Sequence, residues 1–379
     1  MTINGLAGPA ERARLAETFV SLCEIESPSR HEAAAARFVC AELEALGFAV
    51  EEDASAPETG ADCGNLITRI AGPEGARTVM LCAHLDTVPL ADRIEVELSE
   101  GVFRNRREAI LGADNKAAVA VLLEVARRHA VDKPAVGLEL LFTTSEEIGL
   151  LGAHAFDVSR LRAEFGYAFD HASPIGELIL AAPTYYRVIG DFLGRAAHSG
   201  IRPEAGRNAI VAAATAVKAM KLGRIDAETT ANVGVIEGGT ATNVVAERCR
   251  LESEVRSLDD ARANAGMREM VDALTWAASA TETDVDVTVE EQFRAYRIPP
   301  GEALVRVAEA ALADCGVRPV QATTGGGSDA NAFQAKGFRC LNIANGTEAN
   351  HTPDERVSVA ALEKMLDVAL RLLVRAAEV

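Results

Sequence analysis

Residues 78–87 read TVMLCAHLDT, an apolar run that ends in a histidine and an aspartate. Apolar side chains occupy both faces of this run, which is typical of a buried strand in a parallel sheet. Because residues two apart in an extended chain share a face, Asp86 lies beside His84 and can accept its second ring N–H. That hydrogen bond would fix the tautomer that binds a metal ion. A histidine packed in the core would give the same local pattern.

Four later segments also place polar side chains where an apolar run ends or a helix begins. Asp114 precedes the Ala- and Leu-rich stretch 117–126, which favours a buried helix. The other side chains follow apolar runs: Glu146 and Glu147 after residues 138–144, Asp170 after 167–169, and His351 after 340–344. Taken singly, Asp114 could be a helix N-cap and the two glutamates a solvated turn. Convergence explains them together more economically, because α/β sheets place their sites at the carboxyl ends of parallel strands.

Convergence would assemble a site for two divalent cations. Two imidazoles and three carboxylates suit zinc, cobalt or manganese, and the carboxylates offset most of the positive charge of two ions. One of the adjacent glutamates would remain unliganded and could serve as a general base, so the pattern indicates a two-metal hydrolase. A non-catalytic metal-binding or peptide-binding protein is the alternative from another class. It explains the free base less well, because structural metal sites normally close their coordination.

The order His-x-Asp, Asp before a helix, Glu-Glu, Asp and a late His resembles the dinuclear zinc peptidases and amidohydrolases. That family includes peptidase T, glutamate carboxypeptidase, aminoacylase and succinyl-diaminopimelate desuccinylase, and the resemblance spans nearly the whole chain. Two central stretches, GRAAHSGIRPEAGRNAI (194–210) and GRIDAETTANVGVIEGGTATNVVAERC (223–249), are most similar to the peptidase T-like branch.

The resemblance implies a role for each motif residue. His84 and Asp170 would hold one metal ion, Glu147 and His351 the other, and Asp114 would bridge the two. Glu146 would then be the general base, with Asp86 as the partner of His84. The family often has a second Asp after the bridging one, where this chain has Asn115. It usually makes that peptide bond cis, which is costly for a non-proline residue and which Asn does not prevent.

Length and patterning predict two domains, since 379 residues exceed a usual single core. Strands and helices alternate up to about residue 182, and a β-α-β-β-α-β order follows, typical of a ferredoxin-like domain. Its predicted elements are strand 185–192, helix 208–220, strands 231–237 and 243–255, helix 260–278 and strand 284–292. We therefore expect an α/β catalytic domain (1–184 and 296–379) with a mostly parallel sheet flanked by helices. The insertion (185–295) would be, by resemblance, a lid and dimerisation domain.

The insertion contains candidate substrate-binding residues. His198 stands among small residues, which suits a side chain that reaches into an open cleft, although a surface loop histidine would look the same. By resemblance it would hydrogen-bond the oxyanion, either within its own chain or from a partner subunit. Asn243, at the start of a predicted strand, and Arg256 fit positions that bind substrate polar groups or a carboxylate in relatives. An Asn at a strand start and an Arg on a sheet face are also common without any function. The loop around Gly326 (325–329) could offer backbone N–H groups to a carboxylate, or be a plain turn.

Composition indicates which classes of partner are disfavoured and which cellular compartment is expected. A net charge of −18 disfavours nucleic acids and anionic membranes. No apolar run reaches the length of a membrane span, and residues 1–5 lack the pattern of a signal peptide. Seven cysteines without paired spacing indicate reduced thiols in a cytoplasmic protein.

The expected activity is metal-dependent hydrolysis of a peptide or amide bond by a homodimer. Similarity to the peptidase T-like branch favours an aminopeptidase that acts on short peptides. The alternative is an N-acyl amino acid amidohydrolase (deacylase) or a carboxypeptidase, because the metal motifs indicate the bond type and say little about what flanks it.

Overall fold

The computed structural model describes residues 6–379, so the expectation about a signal peptide concerns residues outside the described part. The helices, in chain order, are α1 (Pro9–Cys23), α2 (Ala33–Ala45), α3 (Ala56–Thr59), α4 (Ala113–Val131), α5 (Leu151–Ala155), α6 (Ala209–Ala219), α7 (Asp260–Ala280), α8 (Ala303–Asp314), α9 (Asp329–Ala335) and α10 (Val359–Ala376). Two single 3-10 turns cover Val158–Arg160 and Pro203–Ala205.

The strands are shorter and more numerous than the helices. In chain order they are β1 (Val50–Glu52), β2 (Leu66–Ile70), β3 (Thr78–His84), β4 (Val96–Ser99), β5 (Val102–Asn105), β6 (Gly137–Thr143), β7 (Phe165–His171), β8 (Glu177–Ala182), β9 (Thr184–Leu193), β10 (Gly223–Arg224), β11 (Thr229–Gly238), β12 (Arg248–Ser257), β13 (Asp284–Phe293), β14 (Tyr296–Arg297), β15 (Val320–Thr323), β16 (Cys340–Ala344), β17 (Thr347–Glu348) and β18 (Arg356–Ser358).

The chain divides into two compact units. Unit 1 comprises the described residues up to Leu180, together with Arg297–Thr323 and Gly327–Val379, and unit 2 comprises Ala181–Tyr296 and Thr324–Gly326. The large sheet has the order β1-β2-β6-β3-β7-β16-β8-β14, with β15 paired to β8. The four strands β6, β3, β7 and β16 run parallel, while β2 and β8 pair antiparallel on either side. The predicted α/β fold is confirmed, and the antiparallel edges are a feature that the sequence did not indicate.

The apolar runs of the sequence account for the parallel centre of this sheet. Along β3 every residue from Val79 to His84 is buried, and all seven residues of β6 are buried as well. α4 is buried along nearly its whole first half, as the Ala- and Leu-rich composition predicted. Strands that bury both faces need cover on both sides, so the parallel centre of the sheet is enclosed.

Unit 2 contains a five-stranded antiparallel sheet in the order β10-β11-β12-β9-β13. Its elements β9-α6-β11-β12-α7-β13 follow the split order of a ferredoxin-like domain. Residues of β12 alternate between buried and partly exposed positions, and the buried set packs against small residues of α6 such as Ala212 and Ala216. One sheet face is therefore covered by helices while the other carries charged side chains such as Arg187 and Glu252.

No helix within residues 6–379 has both the length and the apolar composition needed to cross a bilayer.

Candidate active site

The parallel strands of unit 1 bring the predicted ligands together. β3 ends at His84, β7 carries Asp170 next to its last residue, and the turn after β6 carries Glu147. Asp114 stands in the first turn of α4, where its backbone and that of Asn115 are not helical and the peptide bond between them is cis. His351 lies in the turn between β17 and β18 with a left-handed φ of 65°.

Three of the predicted ligands form a mostly buried group around His84. Its Nε2 atom lies 3.4 Å from Asp114 Oδ1 and 3.4 Å from Asp170 Oδ1. One potential ligand atom from each of the three residues lies within 4.8 Å of the others. His84 itself is only 1 % exposed, while the Asp114 and Asp170 side chains are 12 % and 9 % exposed.

A second group shares Asp114 and is more open. His351 Nε2 lies 3.0 Å from Glu147 Oε1 and 3.4 Å from Asp114 Oδ2. Asp114, Glu147 and His351 again place one potential ligand atom each within 4.8 Å of the others. Two triads with one shared carboxylate have the arrangement of a two-cation site bridged by Asp114.

Unsatisfied polar atoms show that these residues fit bound cations. Among the described residues, the buried atoms His84 Nε2 and Asp114 Oδ1 have no hydrogen-bond partner, although buried polar groups are normally paired. Burial, opposed by the charge of His84, raises the pKa of Asp170 to about 7, and burial also raises the pKa of Glu147. Burial disfavours the ionised form of these carboxylates, and a neighbouring cation would stabilise that ionised form. The donor set of imidazole and carboxylate suits zinc, cobalt or manganese.

Glu146 differs from Glu147 in its position. Its carboxylate lies within 4.8 Å of His84 and Glu147, yet neither triad that contains Asp114 includes it. Burial raises the pKa of Glu146 well above its ordinary value, and the charge of Asp170 adds to the effect. A buried carboxylate beside the ligands, outside both triads, has the placement expected of a general base.

Asp86 does more than the sequence indicated. His84 Nδ1 lies 3.0 Å from the backbone oxygen of Asp86 and 3.3 Å from its carboxylate, so the main chain is the nearer acceptor. The Asp86 carboxylate accepts the backbone N–H groups of Glu146 (2.9 Å) and Glu147 (3.1 Å), together with the Ser29 hydroxyl. Asp86 therefore orients His84 and also fixes the turn that presents the two glutamates.

Two further buried acids support the site and were missed in the sequence. Glu355 accepts the backbone N–H groups of Leu111, Gly112 and Asp114 at 2.8, 2.8 and 2.9 Å, and so holds the segment that presents Asp114. Asp329 accepts hydrogen bonds from Thr143 Oγ1 and Cys82 Sγ beneath the strand ends. Glu355 follows His351 by four residues, the one sequence signal that could have identified it.

Unit 2 brings His198 and the segment around Asn243 together. A single antiparallel bridge joins His198 to Val244, and Asn243 O accepts the backbone N–H of Ser199 at 3.1 Å. Both side chains are exposed. The prediction that Asn243 starts a strand is wrong, because β12 begins at Arg248 and Asn243 lies in the preceding loop. The backbone of this loop is drawn toward residues 197–199 instead of continuing the sheet.

Arg256 and the glycine-rich loop also meet within unit 2. The Arg256 guanidinium lies 4.1 Å from the centre of the Tyr185 ring, is paired with Glu254, and donates to Gly325 O at 3.0 Å. The Gly326 N–H donates to Thr324 Oγ1 at 3.1 Å, so this N–H is used inside the loop in the present arrangement. A carboxylate ligand of Arg256 would have to compete with Glu254.

Comparison with known proteins identifies the family. The sequence profile of peptidase family M20/M25/M40 matches residues 80–375. The chain belongs to this family. The solved structure of aminopeptidase PepT from Bacillus cereus is 34% identical and covers 97% of this chain and 99% of its own, with a TM-score of 0.86. A tripeptidase from Staphylococcus aureus is 31% identical with the same coverage and a TM-score of 0.91.

A relative with lower sequence identity is named as a carboxypeptidase. Carboxypeptidase G2 of a Pseudomonas strain is 27% identical over 97% of this chain and 90% of its own length. Family membership and the clustered ligands together show that the protein is a metallopeptidase. The family resemblance drawn from the motif order is confirmed. The predicted metal-dependent hydrolysis of peptide bonds is likewise confirmed.

Proposed function

We propose that this protein is a two-zinc aminopeptidase that releases N-terminal residues from short peptides. The observation that carries the proposal is the pair of triads sharing Asp114, with Glu146 beside them and outside both. His84 and Asp170 would hold one ion, Glu147 and His351 the other. When bound, two such ions act as Lewis acids toward a carbonyl and lower the pKa of a coordinated water to about 7.

Side chains of this protein would transfer the proton of the attacking water and stabilise the oxyanion. Glu146 takes the proton of the attacking water and passes it to the leaving amine, a role that suits a buried carboxylate. Asp86 keeps Glu146 in place through its backbone N–H. Family resemblance assigns stabilisation of the oxyanion to His198. In support, the Gly200 N–H donates to His198 Nδ1 at 3.2 Å, so a neutral His198 carries its proton on Nε2, free to donate to a ligand.

The family resemblance supports a homodimer, and the unpaired cysteines support a cytoplasmic location. We propose a homodimer in which unit 2 serves as lid and dimerisation domain, with Asn243, Arg256 and the Gly326 loop contacting the substrate. The exposed positions of His198 and Asn243 suit contacts with a molecule outside their own unit. All seven cysteines are unpaired, which favours a reducing compartment such as the cytoplasm.

Two observations favour recognition of the peptide amino terminus. The solved relatives with the higher identities are named as an aminopeptidase and a tripeptidase. The carboxylates of the site and the net charge of −18 also suit an α-ammonium group better than an added anionic group. The named carboxypeptidase relative favours the alternative, recognition of a free carboxyl terminus.

The deciding experiment compares one tripeptide in three forms: unmodified, N-acetylated and C-terminally amidated. We expect turnover of the unmodified and amidated forms and strong loss with the acetylated form, with Glu146→Gln protein as the background. A panel of N-acyl amino acids is run in parallel. Faster hydrolysis of acylated substrates would support the deacylase alternative, and a strict need for a free carboxylate would support the carboxypeptidase alternative.

A further inference from the structure

A second cluster of ligand-type side chains lies in unit 1 at the start of α2. Glu32 immediately precedes this helix, and Asp62 and Cys63 lie in the segment between α3 and β2. A carboxylate oxygen of Glu32, one of Asp62 and the Cys63 sulfur all lie within 4.8 Å of one another. None of the three belongs to the paired site described above.

Glu32 contributes a buried oxygen that has nothing to bind. Its Oε1 atom accepts the backbone N–H of Arg30 at 2.9 Å and both the N–H (2.9 Å) and hydroxyl (3.1 Å) of Ser145. Its Oε2 atom is buried and has no partner among residues 6–379, and Glu32 as a whole is 0 % exposed. A buried carboxylate oxygen normally accepts a hydrogen bond or binds a cation, so a ligand is expected at Glu32 Oε2.

Helix capping explains only part of the cluster. Asp62 Oδ1 accepts the backbone N–H of Ala33 at 2.8 Å, at the positive end of the α2 dipole. Capping leaves Glu32 Oε2 and the thiol of Cys63 without a role. Burial and the nearby charges of Glu32 and Asp62 raise the pKa of Cys63 to about 12, so negative charge is concentrated around this sulfur. A bound cation would reverse that balance and favour the thiolate.

We propose that Glu32, Asp62 and Cys63 form a third cation site, selective for a thiophilic divalent ion such as Zn²⁺ or Cd²⁺. Binding forms a metal–sulfur bond and releases the Cys63 proton to solvent. The thiolate and two carboxylates would provide three protein ligands and leave room for water. Hydrogen bonds from the N–H and hydroxyl of Ser145 to Oε1 hold the Glu32 carboxylate in this position.

Cadmium titration tests the site independently of peptide hydrolysis. The proposed ligands of the paired site include no thiol, so ultraviolet thiolate-to-cadmium absorption that depends on Cys63 would report the third site. We expect wild-type protein to develop this absorption with release of about one proton per chain. Cys63→Ser should lose the absorption yet keep paired-site metal and wild-type turnover, and Asp62→Asn should bind on the order of tenfold more weakly.

A matched control is Cys249→Ser, which removes a buried thiol of unit 2 and should leave the absorption intact. The proposal is overturned if wild-type protein shows no thiolate absorption once cadmium has filled the paired site. It is also overturned if the absorption survives in Cys63→Ser. Neither result bears on the proposed aminopeptidase activity, which is measured separately with the tripeptide series.

Discussion

At the scale of single residues, the backbone separates two adjacent glutamates into different positions. Ser145 adopts a left-handed φ of 53°, uncommon for a residue other than glycine, and such conformations concentrate at functional sites. Asp86 and Glu32 hold this turn through its backbone N–H groups. Glu147 can then join a triad with Asp114 while Glu146 stays outside it.

The first prediction separates these roles by substitution. Glu146→Gln should keep both metal ions and lose on the order of 10² to 10⁴ in rate, because the base is removed while the ligands remain. Glu147→Ala should lose metal occupancy as well as rate. Metal analysis paired with steady-state kinetics distinguishes the two. Near-normal turnover by Glu146→Gln would show that another group is the base.

The second prediction concerns Glu355, which supports the bridging residue without belonging to either triad. Glu355→Ala leaves the N–H groups of Leu111, Gly112 and Asp114 without their acceptor, at a cost of about 1–3 kcal/mol for each buried one before relaxation. We expect metal affinity to fall by about 10- to 100-fold, as for other residues that position a ligand. The control is Glu348→Ala, an exposed acid paired with Arg356. Unchanged metal affinity in Glu355→Ala would rule out the positioning role.

At the scale of elements, α8 and α10 are joined by a charge cluster at the C-terminal end of α8. Asp314 accepts hydrogen bonds from Arg371 and Arg375, the latter at 2.7 and 2.5 Å. A negative charge at a helix C-terminus is unfavourable, and the two arginines compensate for it. The hydrogen bond from Arg375 is the largest cause that lowers the pKa of Asp314 to about 2.

The third prediction is a pH dependence of this cluster. Because the folded pKa of Asp314 is depressed, its contribution to the free energy of unfolding is fully present above the unfolded value of about 4. It is lost as the pH falls toward 2. Solvent screens this partly exposed pair, so Asp314→Asn should cost no more than about 1 kcal/mol at neutral pH. Denaturant unfolding of both proteins should show this difference shrinking below pH 4. A difference that stays constant down to pH 2 would contradict the ion-pair explanation.

At the scale of the whole molecule, the proposed function requires residues from an inserted domain. The proposed metal ligands all belong to unit 1, whereas His198, Asn243 and Arg256 belong to unit 2. His198 is exposed and separated in sequence from every proposed ligand. A lid that supplies a catalytic group from a partner subunit would couple turnover to assembly.

The fourth prediction tests that coupling by mixing inactive protomers. If His198 acts across a dimer, combining Glu146→Gln and His198→Ala chains should restore part of the activity, because one site of each heterodimer would be intact. Differently tagged chains allow the heterodimer to be isolated before the assay, with each homodimer as the control. Verified heterodimers without activity would place His198 in its own chain or outside the mechanism.

The sequence by itself determined the fold class and the family, and it predicted a set of candidate metal ligands that the structure brings together. Short apolar runs rich in β-branched and aromatic residues favour central strands, and a polar residue directly after such a strand lies at the carboxyl end of the sheet, where sites form. His84, Asp170 and Glu147 could therefore be placed from local pattern alone. The order of strands and helices in the inserted domain could also be predicted, because the hydrophobic periods of strands and helices differ.

Only the tertiary structure decided which groups support the ligands and where irregular segments run. Glu355, Asp329 and Glu32 accept hydrogen bonds from groups that lie 244, 186 and 113 positions away in the sequence, respectively. No local sequence pattern indicates a contact between atoms so far apart in the chain. Asn243 looked like a strand residue, but its backbone bonds to residues 197–199 and draws the chain away from the sheet. Long-range hydrogen bonds set these positions, because a buried polar group must find its partner wherever the fold places one.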